Sequence, residues 1–307
     1  PELSRFYPTS VLVTGFDIIF FWVARMIMFG LKFAKDVPFK DIYITGLIKD
    51  GNGQKMSKSK GNVLDPIDLI DGISLNDLLE KRTQGMMQPK LAEKIQKQTK
   101  KEFPDGIPAF GTDAIRFTFA ALASFGRDIK FDLKRVEGYR NFCNKLWNAS
   151  RFVLINLESK SINVNAVLSS QDKWILSRLQ HTKIEVEKHL ADYRLDLMSQ
   201  TLYEFVWHDY CDWYLELSKP LLENNKTKQG CEATLLKVLS ETLILLHPII
   251  PFITEEIFEQ SQKLLSSSDE KLISQSFPAP ERTLFNNDAE SEIEWLKEFI
   301  LGIRKIR

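Results

Sequence analysis

A glycine-bounded run of basic and hydroxyl-bearing residues is the part of this chain best suited to chemistry: Gly51-Asn-Gly-Gln-Lys-Met-Ser-Lys-Ser-Lys-Gly61. Its lysines supply positive charge on flexible stems, and its glycines let the backbone bend closely around a ligand. Residues 42–48 are rich in β-branched and aromatic types and predict a buried strand just before it. A basic loop leaving a strand is typical of a phosphate site, although a solvated surface loop has the same composition.

Two common phosphate-binding fingerprints are absent from this run. The dinucleotide fingerprint needs a glycine where Met56 stands, and the P-loop needs a Gly-Lys-Ser/Thr sequence that the run does not contain. The remaining chemistry is neutralisation of a phosphate by side chains of the run itself. These are Lys55, Ser57, Lys58, Ser59 and Lys60.

A strand–helix–strand unit precedes the run and must position it. Residues 10–14 predict a short buried strand, Gly15 predicts a turn, and Asp17 can cap the helix that follows. Strand, helix and strand within this length predict a parallel pair of strands, and ligands bind at the carboxyl ends of such strands. Gly15 and Asp17 are therefore expected on the same rim as the lysine run.

The helix after Asp17 carries apolar residues at helical spacing. Ile18 and Trp22 stand four apart on one face, where such a pair is usually part of a core. The apolar stretch 11–31 does not predict a membrane span, because Asp17 and Arg25 interrupt it. We expect a buried strand and helix there instead.

Composition limits the number of domains and the kind of partner. The 307 residues suffice for two domains, and 41 basic residues balance 41 acidic ones, so any nucleic-acid surface must be local. Cys143, Cys211 and Cys231 form neither a zinc pattern nor a disulfide framework, which fits a reducing compartment. The sequence shows no signal peptide. Because Pro1 begins the chain inside what resembles a continuing fold, we expect a trimmed fragment.

The chain from residue 133 onward is helical by pattern. Apolar residues recur at intervals of three and four, which predicts an all-α bundle. The expected helices are 133–157, 170–190, 194–223, 230–247 and 251–266, with a further amphipathic piece at 293–306. His247, before a proline in an apolar setting, predicts a structural role, and Thr254 falls where it can cap the last of the five helices.

Residues 72–110, between the two halves, form a polar excursion. Its Lys90, Lys94, Lys97 and Lys101 recur at helical spacing and predict one basic stripe. A solvated helix face and an accessory RNA contact both fit this stripe.

The segment Arg140–Phe152 carries a second candidate site. Lys145, Asn148 and Phe152 share one helix face, with Arg151 at its edge. A lysine for phosphate, an amide for a base edge and a ring for stacking are what single-stranded RNA recognition needs. The alternative is that Phe152 belongs to the core.

The string Lys55-Met-Ser-Lys-Ser59, continued by Gly61-Asn-Val-Leu-Asp-Pro66, resembles the KMSKS signature of the class I aminoacyl-tRNA synthetases. Within that family, Thr14-Gly-Phe-Asp-Ile-Ile-Phe-Phe-Trp22 is similar to a segment of the valyl enzymes, and 72–110 resembles an insertion in some of them. The resemblance covers almost the whole chain. It implies an α/β plus all-α fold: the second half of a Rossmann-like catalytic fold (1–71), the insertion with a connecting segment (72–132) and a helical anticodon-binding bundle (133–307).

The resemblance also implies roles for individual residues. Lys55 and Lys58 are the expected catalytic residues, and Ile18 and Trp22 would line the amino-acid pocket. ATP would be bound by Gly15, Asp17, Ser57, Lys58 and Ser59. The expected anticodon-contacting residues are Lys134, Lys145, Asn148, Arg151 and Phe152. Arginine is usual at the first of these positions, and lysine lacks its planar fork.

Valyl enzymes activate valine with ATP and pass it to tRNA(Val), so valine, ATP and that tRNA are the implied partners. Mg²⁺ would come with ATP, and we expect no zinc. The protein is expected to be a cytoplasmic monomer without membrane contact. The second family signature, His-x-Gly-His, is formed by none of the four histidines. We therefore expect a fragment that is inactive alone and lacks the N-terminal half of the fold, the editing domain and the C-terminal coiled coil. A free-standing tRNA-binding protein derived from a synthetase, or an isoleucyl relative, are the alternatives.

Overall fold

The computed structural model describes residues 2–57, 60–84, 89–157, 166–265 and 270–306. Contacts between Cα atoms divide the chain into two compact units. The first comprises Pro1–Gly111, Ala121–Arg135 and Tyr193–Asp196, and the second comprises Thr112–Ala120, Val136–Asp192 and Leu197–Arg307. The domain boundaries expected at residues 71 and 132 stay predictions.

The first unit is built on two short parallel strand pairs. Strand β1 (Thr9–Gly15) pairs with β2 (Phe39–Thr45), and β3 (Ile48–Lys49) pairs with β4 (Ile129–Lys130). Its helices are α1 (Glu2–Phe6), α2 (Ala24–Phe29), α3 (Pro66–Asp71), α4 (Leu75–Thr83) and α5 (Pro89–Glu102). The prediction of a parallel pair before the lysine run is confirmed, with Gly15 opposite Thr45.

The strand predicted over residues 42–48 is observed over 42–45, within β2, and the chain then turns at Gly46 before β3. A Cβ atom at Gly46 would lie 1.8 Å from the carbonyl oxygen of Arg127, so only glycine permits this approach. The predicted burial is confirmed for Thr14 and Tyr43 but is wrong for Val13 and Ile42, which are 60% and 42% exposed. Parallel sheets are usually covered by other elements on both faces. In the described residues, the faces of the β1–β2 pair are covered only in part.

The helix expected after Asp17 is not a regular α-helix. A 3-10 turn (Phe16–Ile18) leads into a π-helical turn (Ile19–Val23), and α-helical geometry begins only at α2. The prediction that Asp17 caps a helix is wrong: Asp17 lies inside the 3-10 turn, and the capping position is held by Gly15 without a side-chain hydrogen bond.

The second unit is an all-α bundle, as predicted. Its elements are α6 (Thr112–Leu122), α7 (Leu133–Asn156), α8 (Ser170–Ala191), α9 (Leu195–Glu204), a π-helical segment (Phe205–Tyr214), α10 (Leu215–Glu223), α11 (Lys228–Leu246), α12 (Pro251–Leu265) and α13 (Asn287–Ile306). Short 3-10 turns lie at Leu272–Ser274 and Arg282–Leu284. No helix within the described ranges combines the length and apolar character that crossing a membrane requires.

Two pairings of buried polar groups link helices of this bundle. Asp172 forms a capping box with Ser169 at the start of α8, and Tyr214 donates a 2.6 Å hydrogen bond to its other oxygen. Lys183 is 1% exposed and lies 2.5 Å from Glu241. Such pairing removes the cost of burying polar groups and fixes the register between helices.

Helix α6 holds the corner between α11 and α12. Arg116 donates from Nε to the carbonyl oxygen of Ile249 (2.9 Å) and from Nη2 to that of Pro248 (3.1 Å). Asp113 accepts from the backbone N–H groups of Ile253 (2.7 Å) and Phe252 (3.4 Å). Helix α6 thus provides hydrogen-bond partners for the backbone carbonyl groups that follow α11 and for the backbone N–H groups at the start of α12.

The predicted cap at Thr254 is therefore wrong. Helix α12 already begins at Pro251, and Asp113 takes the capping role from another element. The Thr254 hydroxyl instead donates to the carbonyl oxygen of Ile250 (2.8 Å) and lies 2.9 Å from His247 Nδ1. His247 is thus part of the corner, as its predicted structural role requires.

We predict that Asp113→Ala destabilises the bundle by about 1 kcal/mol, the usual cost of losing a helix cap. Asp113→Asn should cost less, because an amide oxygen still accepts from the two N–H groups. Burial raises the pKa of the Asp113 carboxyl despite these hydrogen bonds, so the charge itself carries a desolvation cost that the amide avoids. Urea unfolding of the three proteins measures both changes. Equal stability of the alanine variant and the unsubstituted protein would contradict this account.

Candidate functional site

The lysine run begins in a turn that Asp50 closes. Its Oδ1 accepts from the backbone N–H groups of Asn52 (3.0 Å) and Gln54 (2.8 Å). The Asp50 carbonyl oxygen accepts from Gly53 N–H (2.9 Å), and the φ of +77° at Gly53 favours glycine. Asp50 is 7% exposed and anchors the base of the turn, whereas residues 51–55 are exposed.

Asn62 joins the two ends of the run. Its Nδ2 donates to Asp50 Oδ2 (2.8 Å) and to the carbonyl oxygen of Lys55 (3.3 Å), and its Oδ1 accepts from Ser57 N–H (2.9 Å). We name the Asp50–Asn62 pair the loop brace. A glycine-rich loop has few regular backbone hydrogen bonds of its own, and the brace supplies several of them.

The electrostatics of Asp50 fit this role. Burial alone would raise the pKa of its carboxyl, but the hydrogen bonds from Asn62, Gln54 and Asn52, together with the charge of Lys60, hold that pKa below its usual value. Asp50 therefore keeps its negative charge and its full capacity to accept hydrogen bonds over the neutral range.

The structure brings Asp17 and Lys55 together. Lys55 Nζ lies 3.8 Å from Asp17 Oδ2, and both side chains are accessible to solvent. Asp17 follows β1 and Lys55 follows β2 and β3, so both side chains lie at the carboxyl ends of parallel strands. The predicted sharing of one rim is thus observed for these two residues.

Gly15 leaves room for the Asp17 carboxylate. A Cβ atom at Gly15 would lie 2.8 Å from Asp17 Oδ1, closer than ordinary contact permits. Any larger residue at position 15 would displace the carboxylate. The missing side chain of Gly15 therefore leaves the space that the Asp17 carboxylate occupies.

Of the other predicted loop residues, Ser57 lies in the brace through its backbone, and Lys60 is exposed. Lys58 and Ser59, predicted for catalysis and ATP binding, lie outside the described residues. The predicted amino-acid pocket residues Ile18 and Trp22 flank the junction of the 3-10 and π-helical turns and are 39% and 48% exposed. They border the rim as accessible apolar groups rather than as members of a closed core.

The predicted RNA face lies on α7. Asn148 and Arg151 are exposed there, and Phe152 is half-buried. Lys145 is held in place: its Nζ lies 2.5 Å from Asp212 Oδ1 and 3.9 Å from the centre of the Trp207 ring. Lys134 lies in the first turn of α7, in the first unit, where Asp132 accepts from its backbone N–H (3.0 Å).

Trp207 and Asp212 were not expected at this face. Trp207 stacks on Tyr203, with ring centres 5.3 Å apart, and Tyr203 stacks on the buried Phe142 at 5.2 Å. The second Asp212 oxygen lies 3.3 Å from His208 Nδ1. The aromatic density of the sequence around residue 207 could have indicated a stacking surface, but the pairing with Lys145 spans 67 positions along the chain.

Two other kinds of chemistry have little support. Burial raises the pKa of the Cys143, Cys211 and Cys231 thiols to about 12, so none is a ready nucleophile near neutral pH. Across the described ranges, no three His, Cys, Asp or Glu side chains converge to form a candidate metal-binding group.

Two family descriptions match the chain. Residues 1–132 match tRNA synthetases class I (I, L, M and V), and residues 172–307 match the anticodon-binding domain of tRNA ligase. The second range includes Trp207 and Asp212 but begins after the residues of α7.

Similar proteins include three bacterial valine--tRNA ligases. The one from Francisella tularensis subsp. tularensis is 57% identical over 311 residues, the one from Legionella pneumophila strain Lens 55% over 314, and the one from Acinetobacter baylyi 53% over 318. These alignments cover 99–100% of this chain but only 33–34% of each relative. The chain therefore spans about a third of the length of these relatives.

Two solved structures share the fold. The Agrobacterium radiobacter LeuRS–tRNA–LeuAMS ternary complex matches with a TM-score of 0.61 and 16% identity, covering 91% of this chain and 29% of that one. Mycobacterium tuberculosis methionyl-tRNA synthetase in complex with methionyl-adenylate matches with a TM-score of 0.59 and 19% identity, covering 92% and 51%.

Proposed function

The chain belongs to the class I tRNA synthetases, and from that premise we propose that it is a segment of a valine--tRNA ligase. The whole enzyme would join valine to ATP, forming valyl-adenylate and releasing pyrophosphate. It would then pass the valyl group to the terminal ribose of tRNA(Val) and release AMP. This chain supplies the lysine run at residues 51–61, which we call the lysine loop. It also supplies part of the ATP and valine sites and the anticodon-binding bundle.

The observation that carries the proposal is the approach of Lys55 to Asp17 at the carboxyl ends of β1 and β2. A carboxylate that accepts hydrogen bonds from ribose hydroxyls stands here beside a cation that can meet phosphate. ATP needs both groups at neighbouring positions. Identity of 53–57% to valine--tRNA ligases supports the valyl assignment over the isoleucyl one.

Each residue of the rim has a role in this proposal. Asp17 orients the ribose, Gly15 admits the nucleotide close to the backbone, and Lys55 and Lys58 neutralise negative charge on the departing pyrophosphate. Ser57 and Ser59 donate to phosphate oxygens. Mg²⁺ would enter with ATP, would help to neutralise its phosphates and would need no dedicated protein cage.

Valine would lie against the apolar rim formed by Ile18 and Trp22. An isoleucine and an indole ring offer dispersion contacts to a small branched side chain and no hydrogen bond. Such a surface cannot strongly reject a hydroxyl isostere of similar size, so editing by another part of the enzyme is expected.

In the bundle, the anticodon would meet α7 at Lys145, Asn148, Arg151 and Phe152, with Lys134 nearer the start of the helix. Trp207 supports this face by stacking on Tyr203 and by holding Lys145 over its ring. Lys145 can reach a phosphate only in competition with Asp212. We place the enzyme in the cytoplasm as a monomer, a location with which its three free cysteines agree.

We predict that the full-length protein exchanges pyrophosphate into ATP in the presence of valine, and far more slowly with isoleucine. The 307-residue chain alone should give no exchange, because it contains no His-x-Gly-His sequence. Radiolabelled pyrophosphate exchange with each amino acid measures this directly. Preference for isoleucine, or activity of the isolated chain, would contradict the proposal.

We also predict that Asp212→Asn strengthens binding of the 307-residue chain to tRNA(Val), by up to about fivefold, since an exposed ion pair no longer competes for Lys145. Glu216→Gln is the matched control: it also removes one negative charge, from a 2.7 Å pair with Lys219 on the same helical stretch. Fluorescence anisotropy at fixed salt measures both.

A tRNA(Val) with its middle anticodon base changed should bind more weakly to every one of these proteins. Equal binding of the two tRNAs, lost steeply with salt, would mean that only phosphate contacts are made and would contradict anticodon recognition by this face.

A further inference from the structure

We propose that the helix pair α4–α5 is a positioning element that holds the lysine loop for adenylate formation. This inference rests on the proposed function and assigns a role to the insertion at residues 72–110. The two helices pack on each other, and Leu78 of α4 and Ile95 of α5 are buried, at 1% and 6% exposed. Their contacts with the loop arise at its last residue and at the brace.

The first contact joins Gly61, the end of the loop, to Ile95 of α5. A Cβ atom at Gly61 would lie 2.7 Å from Ile95 Cδ1 and 2.8 Å from its Cγ2. The loop backbone therefore rests directly on this side chain. The φ of +61° at Gly61 also favours glycine, so both space and backbone geometry fix the chain at this point.

The second feature is a buried cation, Arg82, which lines the same cavity as Asp50 and Asn62 of the brace. The Arg82 side chain is 6% exposed, donates from Nη1 to Thr99 Oγ1 (3.1 Å) and lies over the Phe103 ring at 4.9 Å. Burial lowers the pKa of its guanidinium, and the negative charges of Glu102 and Asp50 oppose that shift. The nearest carboxylate to Arg82 is that of Glu102, whose Oε2 lies 3.9 Å from Arg82 Nη1.

One small cavity connects these groups. Arg82, Thr99 and Glu102 line it from the helices, and Asp50 and Asn62 line it from the brace. Its volume is about 20 Å³, enough for roughly one water molecule and far too small for a substrate. This cavity therefore holds no substrate-sized ligand.

A third contact fixes the chain just after the loop. Lys81 Nζ lies 2.7 Å from both Asp65 and Asp68. Asp65 also caps α3 by accepting from Ile67 N–H (3.0 Å). Hydrogen bonds to the two carboxylates raise the pKa of Lys81, and the one to Asp65 lowers the pKa of that carboxyl, so the ion pairs persist through the neutral range.

The basic stripe lies on another face of the same helix. Lys90, Lys94, Lys97 and Lys101 are exposed, whereas Ile95 and Thr99 are buried towards α4 and the loop. Helix α5 thus has a packing face for the loop and a separate solvated face. The positioning role depends on the packing face alone.

The test uses the full-length protein with Ile95→Ala, which removes the surface beneath Gly61. Gln96→Ala is the matched control, because Gln96 is exposed on the neighbouring face of α5. We expect kcat for valine-dependent pyrophosphate exchange to fall about tenfold in the Ile95 variant, since small misplacements of reacting groups are costly. Its KM for valine should stay close to that of the unsubstituted enzyme.

Backbone hydrogen exchange separates positioning from general destabilisation. Amides of Ser57, Lys60 and Asn62 should exchange faster in the Ile95 variant, with protection in the bundle unchanged. Arg82→Met, which preserves much of the side-chain volume but removes the charge, should give the same loop signature if the alanine variant fails to fold. Unchanged kcat with unchanged loop exchange, or faster exchange spread over the whole protein, would overturn the inference. An unsubstituted enzyme without valine-dependent exchange would instead overturn the proposed function.

Discussion

A glycine-rich loop keeps one shape only if its backbone groups find partners, and here the carboxylate of Asp50 and the amide of Asn62 provide them. Together they engage the backbone of Asn52, Gln54, Lys55 and Ser57. This brace decides where Lys55 points, and with it the meeting of cation and carboxylate at the rim. The preorganisation of these charges is what transition-state stabilisation of phosphate chemistry requires.

In the bundle, side chains likewise provide hydrogen-bond partners for backbone groups outside regular structure. The corner between α11 and α12 leaves backbone carbonyl and N–H groups without helical partners, and Arg116 and Asp113 of α6 satisfy both sets. On the surface of the bundle, Asp212 and Trp207 hold Lys145 in a fixed position. A cation held in this way gives up part of its attraction for phosphate and gains a defined geometry. Recognition of one base needs geometry more than it needs charge.

Much of the fold could be predicted from the sequence, because hydrophobic periodicity reports which residues share a face. The helices from residue 133 onward and the parallel pair β1–β2 follow from that pattern. The α-helix expected after Asp17 does not, since single 3-10 and π-helical turns are too short to leave a periodicity of their own in the apolar pattern. The burial expected for Val13 and Ile42 depends on what covers the sheet, which a strand pattern does not specify.

The sequence predicts which residues form the candidate site, but it does not predict which other residues hold them in place. The lysine loop and Asp17 could be placed on one rim by strand order alone. Asn62, Ile95 and Asp212 could not be assigned, because their contacts join residues that lie 12 to 67 positions apart and depend on packing between elements. The capping of α12 by Asp113, 140 positions away from Ile253, has the same cause.

The measurement that most directly tests the central claim compares full-length Asn62→Ala with full-length Asn52→Ala in valine-dependent pyrophosphate exchange. Asn62 serves the brace through its side chain, whereas Asn52 contributes its backbone N–H, which alanine retains. If the brace sets the catalytic geometry, the Asn62 variant loses roughly ten- to a hundredfold in kcat while the Asn52 variant keeps its activity. Equal activity of the two variants, with the loop amides of the Asn62 variant exchanging freely, would show that the chemistry does not depend on the shape of this loop.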